Sequence, residues 1–179
     1  MAVNQVNISD QDRRLLGVWA ADCAERVLRL FEAEAPHDIR PREAIEGIRA
    51  FARGEQRKGQ LRPLAYAALA AAREVRAPAA TAAARAAGYA AAAPYIHPLA
   101  TPHQAKHALA PAMYVALARE LAVDHDIGTG INPGDEEARW AIGHAPEAIR
   151  GLLRQMPAFP PGRSRLDALR HQLDSALRL

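Results

Sequence analysis

The sequence predicts an all-α fold, a helical bundle or a solenoid-like stack of about eight helices, in one domain spanning residues 1–179. Alanine fills 42 of the 179 positions and makes up nearly half of the 50% hydrophobic content, so the chain favours helix while burying little area per side chain. Val, Ile and Thr are scarce, aromatics are 5%, and no stretch sustains the apolar and polar alternation of a strand. Capping residues and prolines recur at helix-length intervals. A chain of this length can bury one sizeable core, and nothing in it demands two.

Ser9 or Asp10 caps the first predicted helix, with Asp12 in its first turn, where an acidic group complements the helix dipole. It ends near Glu34, ahead of Pro36. Along it Leu15, Leu16, Trp19, Ala20, Cys23, Val27 and Leu30 form one apolar arc, into which Arg26 falls, with Asp22 one turn earlier at the edge. Pro41 suits the first position of a second helix that stops at Gly54, antiparallel to the first. A third helix follows Pro63 and ends before Pro78, and Pro78 opens a fourth that reaches about Ala93. The alanines of this pair, with Gly88, let the two backbones approach closely.

Thr101 and Pro102 start a fifth helix running to about Val123, with a kink expected at Pro111. Residues 124–134 form the longest irregular stretch. Asn132 and Pro133 begin a short sixth helix, and Pro146 restarts the chain as a seventh carrying Ile149, Leu152 and Leu153. A rigid connector, Pro157 to Gly162, leads to an amphipathic C-terminal helix within residues 163–179. Ser164 caps it, and its stripe of Leu166, Leu169, Leu173 and Leu177 is suited to docking on the body. No repeat period chooses between bundle and stack.

The formal charge of +3 comes from many arginines and only two lysines, Lys58 and Lys106. The arginines are interleaved with acids rather than gathered in a run, which fits a solvated surface and counts against a nucleic-acid partner. Cys23 is the one cysteine, so an intramolecular disulfide and a thiolate metal set are excluded. No basic region followed by an apolar core opens the chain, and no membrane-length apolar run exists, so a soluble cytoplasmic protein is expected.

Two constellations carry candidate chemistry. Asp22 and Arg26 can pair at i,i+4, and Pro41 holds Arg40 extended, so Asp22, Arg26, Asp38, Arg40 and Arg42 are expected to share one network near the end of the first helix. It reads either as a partner-binding or anion-recognition site or as a salt-bridge network fixing the hairpin. His103 and His107 stand at i,i+4 on the fifth helix, the spacing that binds a metal when further ligands arrive. His97, Asp124, His125 and Asp126 are available, but no sequence argument brings them close, so structural or partner-contacting histidines are the preferred reading. No cofactor and no metal is predicted. The Gly128-Thr129-Gly130 segment is too short for a dinucleotide fingerprint, and neither a phosphate loop nor a nucleophile elbow is present, so no catalytic residue is assigned.

The segments Leu16 to Leu28, Arg40 to Glu46 and Ala84 to Ala90, then His103-Gln-Ala-Lys-His107-Ala108, Ala138-Arg139-Trp140 and Leu152-Leu153, resemble the immunity proteins of bacterial polymorphic-toxin systems. The resemblance covers about residues 10–156. It implies an all-α protein, not an enzyme, that binds a cognate toxin protein and neutralises it by steric occlusion. On that reading, exposed residues such as Arg42, Arg49 and Arg53 and the loop from Asp124 to Gly134 meet the partner. The stretch Pro94 to Pro98 departs from the family's continuing Ala-rich helix. Some similar sequences carry an exonuclease label, for which this chain offers no strand-based acidic metal site. Two other readings remain open: a small metal-dependent enzyme using His103 and His107, and a nucleic-acid accessory factor.

Overall fold

A computed structural model describes residues 4–123 and 130–179. In the described residues eight α-helices form a bundle: α1 (Asp10–Glu34), α2 (Arg40–Ala52), α3 (Leu61–Glu74), α4 (Pro78–Ala92), α5 (Pro102–Leu121), α6 (Pro133–His144), α7 (Glu147–Arg154) and α8 (Arg165–Leu177). The described residues contain no strand, only an isolated bridge between Gln5 and Leu99. No described helix is long and apolar enough to cross a membrane.

The helix starts follow from the capping residues. Ser9 accepts from Asp12 N–H while the Asp12 carboxylate accepts from Ser9 N–H, and Ser164 and Asp167 repeat that reciprocal box on α8. Thr101 and Asn132 cap α5 and α6 through their side-chain oxygens. Pro41 falls second in α2, one place later than expected, because Arg40 already has helical geometry. Gly54 ends that helix at φ 81°, a conformation glycine adopts without a Cβ penalty. The fourth helix gives way at Ala93 to a 3-10 turn, Ala93–Tyr95, and α5 stops at Leu121 rather than Val123. Pro111 lies inside α5 without interrupting it.

Tertiary packing places α4 at the centre, against α1, α2, α3 and α5. Nine of its residues are buried, eight alanines and Gly88, spread around its circumference, while Arg85 points to solvent. A helix sheathed on most sides must be thin, and alanine supplies that thinness. At Gly88 a Cβ would lie 2.7 Å from Leu69 Cγ and 3.2 Å from the Ala65 carbonyl oxygen, so the contact with α3 has no room for a methyl group. Bulkier residues surround this axis: Phe31, Ile48, Leu61, Leu109 and Met113 are all fully buried. On the far side of α5, α8 packs on α5 and α6 through Leu169, Leu173 and Leu177, the predicted stripe, with Leu166 at its partly exposed start.

Candidate functional site

Helices α1 and α2 run antiparallel: Arg14 near the start of α1 donates to the Phe51 carbonyl near the end of α2, while Glu32 near the end of α1 meets Arg42 near the start of α2. The buried faces of the two helices meet in the core, leaving their flanking polar residues to line the seam. Across it Arg49 donates to Asp22 Oδ1 at 2.8 Å and also bonds Glu25. Arg42 holds Glu32 at 2.5 Å. At the hairpin corner Arg40 is shared between Asp38, at 2.6 Å, and Glu74 at the end of α3, at 2.5 Å. The hydrogen bonds from Arg40 hold the Asp38 carboxyl below its usual range.

Arg26 takes a different partner from the one its spacing suggested. Its Nε and Nη2 donate to Glu137 of α6 at 2.6 and 3.2 Å, a bidentate pair, while Asp22 turns to Arg49. Arg26 is also not a core residue: its side chain keeps 35% exposure, whereas Glu137 keeps 6%. The cost of an unpaired buried carboxylate accounts for the choice, since Glu137 needs a cation and Asp22, at 43% exposure, is hydrated without one. Arg119 Nε approaches Glu137 from α5 at 3.2 Å, too poorly aligned for a hydrogen bond. The expected single network of Asp22, Arg26, Asp38, Arg40 and Arg42 is therefore four separate ion-pair groups. Glu137 had a readable signal. It stands on the stripe Gly134, Ala138, Ala141, the buried face of α6, where an acid calls for a partner.

Around Arg26 the surface forms a shallow depression of about 330 Å³, lined by Asp22, Glu25, Arg26, Arg49, Trp140 and His144. The Arg26 guanidinium lies 4.1 Å from the Trp140 ring centroid, and the His144 ring stacks on Trp140 at 4.0 Å. His144 Nδ1 donates to the Trp140 carbonyl at 2.8 Å, which fixes the stack. Beneath it, Trp19 of α1 donates its indole N–H to the Ala141 carbonyl, locking α6 to α1. The result is a rigid, half-exposed aromatic and charged face built from α1, α2 and α6.

His103 and His107 come together on the first turns of α5. Their Nε2 atoms are 2.9 Å apart, with ring planes at 88°. Burial, then the neighbouring His103, Lys106 and His97, push the His107 pKa below the ordinary histidine value. A cavity of about 340 Å³ beside them is also lined by His97, Gln104 and Tyr95. Among the described residues no group of three or more His, Cys, Asp or Glu side chains is arranged to hold a metal. Asp124, His125 and Asp126 lie outside the described residues. Cys23 is fully buried and its thiol pKa is driven up, chiefly by desolvation, which leaves it no thiolate for nucleophilic chemistry.

A family model described as Imm-5 like putative immunity protein matches residues 6–148, which takes in α1 to α6 and every residue of the α1–α2–α6 face. The chain belongs to this family. The Imm-5-like match ends just inside α7, short of the predicted limit near residue 156, and leaves α8 outside it. No curated protein and no solved structure matches the chain significantly.

Proposed function

We propose that this chain is the immunity partner of a bacterial polymorphic-toxin system, binding its cognate toxin in the cytoplasm of the producing cell and blocking it by occlusion, with no chemistry of its own. The match to the Imm-5-like family over residues 6–148 is the observation that carries this reading. The fold is compatible with it, because a binder needs a rigid scaffold and a complementary surface rather than a reactive centre. For the contact face, the depression around Arg26, Arg49 and Trp140 has the composition of an interface centre: a half-buried tryptophan held between cationic or aromatic neighbours, with charged groups at its rim. Arg42 and Arg53, also expected to meet the partner, are paired with Glu32 and Glu55, much as Arg49 is with Asp22 and Glu25, but neither lines the depression.

Co-expression with the product of the adjacent open reading frame tests the proposal. Host survival and co-purification of the two chains are expected, and Arg49→Glu should abolish both while the variant remains folded. A neighbouring toxin that stays fully active, with no complex formed, overturns the immunity reading. Rescue that survives both Arg49→Glu and Trp140→Ala overturns the contact face alone.

A further inference from the structure

The two histidines of α5 are not absorbed by the immunity reading, and their geometry is specific. Their Nε2 atoms face one another at 2.9 Å, with no other hydrogen-bond partner for either ring among the described residues. With imidazole nitrogens bound at about 2.1 Å, that separation subtends about 90° at a shared ion, the angle between neighbouring ligands of an octahedral or square-planar site. A tetrahedral ion would need them about 3.4 Å apart.

The turn that carries them is held on both sides. Thr101 caps it by accepting from Gln104 N–H, and the buried Gln104 side chain accepts from His97 N–H, tying the preceding loop to the helix. The adjoining cavity of about 340 Å³ leaves space for water to fill the remaining positions.

We propose that His103 and His107 chelate a divalent transition-metal ion through their Nε2 atoms. In the metal-free protein one ring donates its Nε2 proton to the other. Binding shifts that proton to Nδ1 of the same ring, so both Nε2 lone pairs reach the metal and no net proton is released. Oxygen-preferring ions such as magnesium and calcium are poor matches to two imidazoles, whereas copper, nickel, cobalt and zinc suit them. The positive end of α5 and the adjacent Lys106 oppose a cation, and only two protein ligands are present. The site therefore binds in the micromolar range, rather than with the far higher affinity of a structural zinc.

The test is calorimetric titration of nickel(II) into the untagged full chain. One ion per chain is expected, with affinity falling by about tenfold or more in both His103→Ala and His107→Ala. His171→Ala, an exposed histidine on α8, should bind as the parent does. His103 is exposed, so its alanine variant is expected to fold, which unchanged helical circular dichroism would verify. No saturable uptake of nickel or zinc, or uptake that both His103→Ala and His107→Ala leave unaltered, overturns the site. Neither result depends on a toxin, so the immunity reading stands or falls separately.

Discussion

The Arg26–Glu137 pair and the α1–α2 seam use the same chemical groups in opposite physical settings. Glu137 is buried and receives Arg26 in bidentate geometry, with Arg119 beside it, so three helices meet at one carboxylate. Along the seam the Asp22–Arg49 and Glu32–Arg42 pairs are wet on both sides. A buried carboxylate has no water to fall back on, whereas a hydrated pair exchanges one set of polar partners for another. Ion pairs of similar length in one molecule should therefore differ several-fold in what they contribute to stability.

The sharpest way to break this contrast is Glu137→Ala, which strands Arg119 and frees Arg26. It should destabilise by about 3–5 kcal/mol in denaturant unfolding. A loss under about 1 kcal/mol would put Glu137 with the seam residues. Arg26→Ala removes the bidentate partner and the cover over Trp140 but leaves Arg119 near the carboxylate, and about 1.5–3 kcal/mol is expected. Arg49→Ala and Arg42→Ala should each cost about 0–1 kcal/mol, and added salt should shrink even that. Smallest is an acid effect at the hairpin corner. Asp38 has a folded pKa below its unfolded one, so its contribution is complete above about pH 4 and is lost as the pH falls through the lowered value. Arg40→Ala should flatten that limb of the stability profile, lowering stability slightly near neutral pH and leaving it unaltered in acid below the lowered pKa.

Much of the fold was legible because helix boundaries are local chemistry. The Ser9 and Ser164 capping boxes, Thr101 with Pro102, Asn132 with Pro133 and the Gly54 stop each satisfy or terminate backbone groups within a few residues. The leucine stripe of α8 was equally plain, since a period near 3.6 leaves one face to bury. The His103–His107 contact was readable for the same reason, one helical turn being enough to bring the rings together.

The charged site was less legible. The i,i+4 rule offered Asp22 to Arg26 because that was the partner sequence spacing could supply, yet the decisive carboxylate sits 111 residues away. The acid on the buried stripe of α6 signalled that some cation must come, but not which one.

The sequence by itself determined most helix starts, which faces are apolar, and that an alanine-rich segment had to pack closely, because these depend on neighbours within a turn or two. Only the tertiary structure decided that α4 is the axis of the bundle and that Glu137 takes Arg26 from Asp22. It also decided that Trp140, His144 and Arg49 share one depression. Such choices rest on which distant groups compete for the same buried charge and the same space, a competition that exists only once the helices have packed.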